Sequence, residues 1–488
     1  MVKDYSSTVF RTKIRFKHYG YFFLHLCQFS VIKVVVTNFR IFPIHPRSSR
    51  HLSKLMTVVF RQFEDFENDI ADSVQSFVSA FPNMPVVVVC ENTPYPPFPF
   101  SVTNETLKNV KVVSLELKLN ALPQDFNPLT HIFTEYVLFV PDSTRVSRRV
   151  LQLAMVAASA NPSQGIAVGV GNSRLICQQV HWNYADWTLH YSKDASGKIC
   201  DAVHGQHALL IKTSVLQKLP QPFAFPFPES LYLQTSVKHI KVNGRLSAGR
   251  GMLKTPGAKQ RASRHMRDYR VALYKQLGVK AVIREDGRVQ WFGCKRETQR
   301  CYPSVQGTPS YLLSGRNTPP CCRRNMRRVA GHVLRALLQA GARCWLETTS
   351  LLGAVIRGDV LPWAEFVEIG IHATDVSRVS WLQRGGADAD GFVWERATKG
   401  HYYRVAYSAT NRVYVLILPF TARNGTMWPA DWVLAHQREF PERHLHPLIT
   451  FAGRQAPAPN DARAFLDLKL GANAVERCDK LGPKLLYP

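Results

Sequence analysis

The sequence predicts an α/β chain, and three observations predict it. From Met56 onward, short runs of β-branched and aliphatic residues alternate with amphipathic stretches, the pattern of parallel strands joined by crossover helices. A second alternation of strand, small-residue turn, helix and strand fills the stretch from Cys344 to Phe420. The chain has 488 residues, 45% of them hydrophobic, which is enough for two or three domains with a sizeable core. Its net charge of +27 suits nucleic acid, anionic lipid or phosphorylated ligands as partners and does not choose among them.

Residues 1–18 form a basic segment carrying Lys3, Arg11, Lys13, Arg15 and Lys17. An apolar run over 19–39 follows, interrupted by His25, Gln28 and Lys33, and 40–55 reads as a polar linker. Basic residues ahead of an apolar run with no small-residue cleavage site predict a signal anchor. The expected topology is single-pass type II, with the bulk of the chain luminal.

MTVVFRQ is a strand leading into the helix of DFENDIADSVQSFVSAF. PVVVVC, VKVVSLEL and EYVLFVPD are further strands, the last ending at Asp142, and a helix over SRRVLQLAMVAASA precedes the strand QGIAVGVG. Loops at the carboxyl ends of such strands are available to a ligand. Asp142 stands where a sugar-nucleotide transferase would place a metal carboxylate, but a lone acid before Ser-Thr reads better as a cap or turn residue. Cys177 and Cys200 flank 22 residues and would close a disulfide loop in an oxidising compartment. Asn104 and Asn424 open glycosylation sequons with the same condition attached.

The stretch from Lys238 to Lys280 is dense in Lys and Arg and helical from Lys259 to Leu277. Only Tyr269 and Tyr274 interleave it, too few for base stacking, so it reads as a solvated helix between domains and not as a nucleic-acid surface. Cys294, Cys301, Cys321 and Cys322 come next, with six and nineteen residues between them and then an adjacent pair. Four thiolates so close suit a structural tetrahedral Zn²⁺ site, and two disulfides are the alternative. Met326, Val329, Val333, Leu334, Leu337 and Leu338 make a helical stripe closed by Gly341. His444 and His446 read as surface or packing residues.

CWLE is then a strand, the turn TTS opens the helix SLLGAVIRGD, and VLPWAEFVEIGIH turns through Pro362 into another strand. A small-residue turn at a helix N-terminus lets backbone N–H groups approach a phosphate. Carboxylates on the next strand and on a later one would hold a divalent cation against it. Ala364, Phe366 and Glu368 share one face of that next strand, and only Glu368 is acidic. The later strand, from Val413 to Phe420, contains no acid, with Leu416 where one is needed. Glu368 itself reads equally as a strand-end surface acid.

From about Met56 to Gly471 these residues resemble the fukutin-related, LicD-like phosphotransferase family. The resemblance is carried in one order by TVVFRQFEDFEN, NTPYPPF, WFGC, TPPCC, WLE, SLLGA, GFVWE, NRVYV, EFPE and APN. It implies a Rossmann-like glycosyltransferase-type stem domain over 56–280 and a LicD/nucleotidyltransferase-like mixed α/β catalytic-type domain over 281–488. It implies a Golgi membrane protein with Zn²⁺ on Cys294, Cys301, Cys321 and Cys322. The activity implied is transfer of ribitol 5-phosphate from CDP-ribitol, with Mg²⁺ or Mn²⁺, to an O-mannosyl glycan of dystroglycan. A homo-oligomer and other glycan-extending transferases are implied as partners.

Ser350, Gly353, Trp363 and Arg404 match the family's substrate-binding positions, and Gly358 and Asp359 match as well. The departures are equally specific. The family has Asp at the positions of Ala364, Phe366, Glu368 and Leu416, and a Gly pair at Thr348-Thr349. Two functions follow. The first is a transferase whose site is rebuilt, with Glu368 and Asp359 as catalytic candidates and Glu365 or Glu347 as further ligands. The second is an inactive homologue that binds glycan, nucleotide or partner enzymes.

Overall fold

The computed structural model describes residues 49–481, apart from 66, 96, 99, 101–106, 118, 120–121, 195–196, 198, 250–255, 299–303, 306–307, 432–437 and 442–444. Four parallel strands begin the first sheet, in the order Val110–Ser114, Val86–Cys90, Met56–Gln62 and Tyr136–Pro141. His207–Lys212 adds antiparallel, followed by Gly165–Val170, His239–Ala248 and the short Thr144–Arg145.

The valine-rich runs are buried along their whole length because both faces of this sheet are covered. Met56, Val58 and Phe60 face one core with helices Ile70–Ala80 and Arg148–Ala160. Val59, Val87, Val89 and Phe139 face a second core on the other side. The one-residue alternation between the two cores is the strand period itself.

A smaller sheet lies beyond that second core, ordered Ala202–His204, Ile176–Asn183, Thr188–Lys193, Ala281–Ile283 and Val289–Trp291. Cys177 and Cys200 are joined within this region, with an S–S distance of 2.00 Å. Residues on both sides of position 280 therefore share one sheet. The 21-residue helix Pro256–Gln276 leads into it.

The C-terminal sheet runs Cys344–Leu346, Phe366–His372, Tyr414–Arg423, Tyr403–Ala406, Val393–Arg396 and Gly386–Ala387. Helix Pro320–Gln339 lays Met326, Val329, Val333, Leu334 and Leu337 against its central strands. Leu338, counted above in that stripe, is instead 49% exposed, one position off the buried face. Gly341 follows with φ +63°, the left-handed conformation that closes a helix without a Cβ penalty.

The turn Tyr184–Trp187 of the smaller sheet grips the segment that enters helix Pro320–Gln339. The Trp187 indole N–H donates to the Asn317 carbonyl at 2.7 Å, and the Arg316 guanidinium lies 3.3 Å from the Trp187 ring centroid. Arg316 also donates to the carbonyls of Tyr184 and Gly278, and Arg323 pairs with Asp186 at 3.3 Å. Residues from Leu52 onward cluster as one unit.

The expected single-pass Golgi membrane topology with a luminal bulk is corrected here. No helix among the described residues is long and apolar enough to cross a membrane. The two longest, Pro256–Gln276 and Pro320–Gln339, carry too many Lys and Arg residues to leave water. The 19–39 run lies outside the described residues and is itself broken by His25, Gln28 and Lys33.

Candidate functional site

Helix Thr348–Arg357 leaves strand Cys344–Leu346 through the N-cap residue Glu347, and strand Phe366–His372 runs beside it. The N–H groups of a first helical turn have no partner within the helix and attract anions. Here the anion is internal. Glu368 is fully buried, and its Oε2 accepts a hydrogen bond from the Thr349 amide at 2.9 Å and another from the Thr349 hydroxyl. The Ser350 hydroxyl accepts from the Glu368 amide at 2.7 Å, which ties the same turn to the strand backbone. Glu368 is thus not a surface acid. The Glu368 carboxyl binds Thr349 and its backbone amide binds the Ser350 hydroxyl, so strand and turn are joined at the start of the helix.

The other three positions of the expected metal site hold no charge. Phe366 and Tyr414 are partners on neighbouring parallel strands, with rings stacked 5.3 Å apart at 14°. The Arg404 guanidinium sits 4.5 Å from the centroid of the Tyr414 ring. In the next row of the sheet, Glu368, Leu416 and Arg404 stand side by side in register, and Leu416 is buried. Ala364 precedes the strand, and its carbonyl accepts from the Thr318 hydroxyl at 2.7 Å. An aromatic stack topped by a guanidinium occupies what a cation site would need as carboxylates.

Two further acids considered as replacement ligands are engaged elsewhere. Asp359 is held by both the Nε and a terminal nitrogen of Arg327, and its Oδ1 also accepts from the Val360 amide at 2.7 Å. Glu347 pairs with Lys469 at 2.7 Å, both fully buried, and accepts from the Trp345 indole at 2.6 Å. The rings of Phe420, Phe440 and Phe465 surround that ammonium about 5 Å away. Glu365 lies just ahead of strand Phe366–His372, partly exposed.

Gly353 packs where a Cβ would meet the Asp359 carbonyl at 2.4 Å, so its glycine serves helix–loop contact. Gly370 in the same way leaves room for the Trp345 ring. Trp363 and Arg404 differ from these. The Trp363 indole N–H and the Arg404 Nε–H are buried donors with no hydrogen-bond partner among the described residues. Unmet buried donors of this kind are costly and suit a site that a ligand's acceptors complete.

Three of the four clustered cysteines converge. Cys294, Cys321 and Cys322 are buried with their sulfurs within 4.8 Å of one another. Cys294 and Cys321 are bonded in this structure, and the Cys322 sulfur is 3.3 Å from that of Cys294. The Asn325 amide donates to the Cys294 carbonyl at 2.7 Å and fixes the loop on the helix. Cys301 lies outside the described residues, as do Asn104 and His444. Asn424 has φ +50° at the tip of the hairpin joining Tyr414–Arg423 to Thr426–Pro429.

In the N-terminal half, Asp142 is a turn residue that holds the chain entering a helix. Its Oδ1 accepts from the amides of Asp69 and Ser143 at 2.9 and 2.7 Å, at the start of Ile70–Ala80. Burial pushes its carboxyl up to about 6 in spite of those two donors.

Sequence reasoning missed Thr349, Tyr414 and Lys469. The signal for Lys469 was a basic residue on the apolar face of Ala462–Leu470, beside Phe465 and Leu466. For Tyr414 it was position: two residues before Leu416, on the face where Phe366 already replaced an acid.

Residues 43–285 match the family described as fukutin-related protein stem domain. Residues 341–461 match the LicD/FKTN/FKRP nucleotidyltransferase domain. The chain is 38% identical over 456 residues to "Ribitol 5-phosphate transferase FKRP" of Mus musculus, covering 90% of this chain and 91% of that one. The Homo sapiens protein of the same name gives the same identity and coverage. Among solved structures, the lincosamide adenylyltransferase LnuA aligns over 33% of this chain and 95% of its own, at 15% identity and TM-score 0.24. S. aureus TarS 1-349 with UDP aligns over 44% and 65%, also at 15% identity and TM-score 0.24. Similarity at that level is too slight to argue from.

Proposed function

Because the chain belongs to the fukutin-related (LicD/FKTN/FKRP) family, we propose that it serves ribitol 5-phosphate transfer as a binding homologue, without performing the metal-dependent step itself. The observation that supports this reading is the state of Glu368. Its carboxylate is taken up by Thr349, while Ala364, Phe366 and Leu416 stand at the family's other carboxylate positions.

A divalent cation bridging two phosphates needs several oxygen ligands and their charge. The residues present do not fit Mg²⁺ or Mn²⁺, so no transfer step is routed through either. What remains is recognition. The Trp363 indole N–H and Arg404 Nε–H, buried and without a hydrogen-bond partner among the described residues, would be uncovered to meet acceptors on CDP-ribitol or on an O-mannosyl glycan of the dystroglycan type.

Zn²⁺ is proposed as a structural ion on these cysteines, with Cys294 and Cys321 as thiolates instead of bonded to each other. Three buried sulfurs already converge, and Cys301 is the expected fourth ligand. The ion would tie helix Pro320–Gln339 to the loop ahead of it. Metal analysis of the purified protein should find one equivalent of zinc, and no zinc with every thiol oxidised overturns this part.

The test of the main proposal is calorimetry and turnover with the same protein. CDP-ribitol should bind, Trp363→Phe and Arg404→Leu should weaken it, and no CMP should be released with Mg²⁺ or Mn²⁺. Chelator-sensitive release of CMP would instead establish the second reading, a working ribitol 5-phosphate transferase. That reading is favoured by 38% identity across nine-tenths of the chain to proteins of that name.

A further inference from the structure

A cavity of about 1300 Å³ opens in the N-terminal half, well away in sequence from Thr348–Arg357. Gln62, Glu91, Pro141 and Asp142 line it, so it sits at the carboxyl ends of parallel strands, where α/β sheets bind ligands. Its volume exceeds that of a drug-sized pocket.

One wall is a face of the basic helix Pro256–Gln276. Lys259, Ala262, Met266 and Tyr269 recur every three or four residues along it and all line the space. The helix is clasped to the strand-end loop by Arg261 with Glu67 at 3.1 Å and His265 with Glu64 at 3.4 Å. It therefore covers a cleft and does not simply cross solvent between two domains.

The described lining differs in charge from the chain. Lys and Arg outnumber Asp and Glu by 62 to 35 overall, yet among the described residues eight carboxylates and four Lys or Arg line this cavity, with Arg61 and Arg261 paired to Glu91 and Glu67. A phosphate would meet carboxylates here, and Arg270, Arg284 and Arg288 are already paired with Glu229 and Asp286. A neutral polyol would meet a set of acceptors for its hydroxyls. Rings are available as well: Tyr269 is 37% exposed and packs on Phe225 with centroids 4.8 Å apart. Such a face covers the C–H side of a sugar ring at little entropic cost.

One acceptor is already held in place. Glu229 is fixed by Arg270 at 2.9 Å and by the Tyr191 hydroxyl at 3.1 Å, with Tyr274 and Arg284 beside it. Burial opposes its charge, but Arg284 and Arg270 keep the carboxyl below its ordinary range.

We propose that this cleft binds a neutral oligosaccharide, at a site separate from the C-terminal one. Its acids accept the sugar hydroxyls, and Tyr269 with Phe225 forms the platform for a sugar ring. The proposal stands whether or not the C-terminal site transfers ribitol 5-phosphate.

Saturation-transfer NMR and calorimetry on the full chain test it, with maltotetraose, cellotetraose, mannotetraose and chitotetraose as probes. At least one should bind at millimolar concentration. Tyr269→Ala should weaken it by about tenfold or more, and Tyr269→Phe should retain it, with melting temperatures unchanged. CDP-ribitol should not displace the sugar. Absence of binding by all four probes overturns the proposal, as does affinity that ignores Tyr269→Ala, or displacement by CDP-ribitol.

Discussion

The molecule carries two strand-end regions on two sheets, and their acids are disposed in opposite ways. At the C-terminal one Ala364, Phe366 and Leu416 bring no charge, and its one acid, Glu368, is bonded into the adjacent helix turn. The N-terminal one stays open and collects acids in a chain that is otherwise strongly basic. The contrast teaches that a helix start can be satisfied from within the fold when a buried carboxyl accepts from its first turn. Glu368 accepts from one amide of the helix's first turn, a donor that an external anion would otherwise meet there.

The strongest way to break the contrast is to rebuild the closed site. Ala364→Asp, Phe366→Asp, Glu368→Asp and Leu416→Asp together should produce chelator-sensitive CMP release from CDP-ribitol. The expected gain is at least about 10²-fold over the unmodified chain, the scale of a lost transition-state contact. Stopped assays with and without Mn²⁺ measure it, alongside a melt to show that the carboxylate introduced in place of buried Leu416 is tolerated.

A second perturbation asks how firmly the closed site is anchored. Lys469→Met leaves Glu347 charged and unpaired in the core, beside the turn that holds Glu368. It should cost about 3–5 kcal/mol in urea unfolding, and adding Glu347→Leu should recover much of the loss. A cost near zero would show that the pair is not what holds the turn.

The third removes only the hydroxyl that faces Glu368. Thr349→Val keeps shape and backbone but leaves a carboxylate oxygen one donor short. A loss of about 2 kcal/mol is expected, as for hydrogen bonds to charged groups. An unchanged melt would show that this hydroxyl does not hold the turn.

The smallest effect belongs to the open site. Burial raises Asp142 to about 6, so between about pH 4 and 6 the folded chain holds a proton that the unfolded chain has released. Stability therefore falls as pH rises through that window, and the whole penalty is present above it. Asp142→Asn keeps the accepting oxygen and removes the charge. It should stabilise by about 1 kcal/mol at pH 7, discounted for partial exposure, and not at all below pH 4. Chemical denaturation at the two pH values decides it.

Much of this was legible in the residues. The valine runs, the stripe from Met326 to Leu337 and the Gly341 stop are local patterns, and they gave their elements nearly to the residue. That positions 364, 366 and 416 carry no acid was equally plain. What could not be read was partnership. Whether Glu368 faces solvent or a helix turn depends on a strand and a helix packing at one register, which no single stretch encodes. The same holds for Lys469, which meets Glu347 from more than a hundred residues away. The basic helix was read as solvated, and most of it is; composition shows its charge but not the acids that clasp it.

The grip of Tyr184–Trp187 on Arg316 and Asn317 bears on how the chain comes apart. A guanidinium stacked on one indole and bonded to two carbonyls ties the smaller sheet to the segment that enters helix Pro320–Gln339, which packs on the C-terminal sheet. Neither sheet can open without exposing that indole and stranding those carbonyls. Calorimetry should accordingly show one cooperative heat-absorption peak for the two halves. A chain divided near residue 280 should yield fragments that aggregate separately and regain solubility only when expressed together.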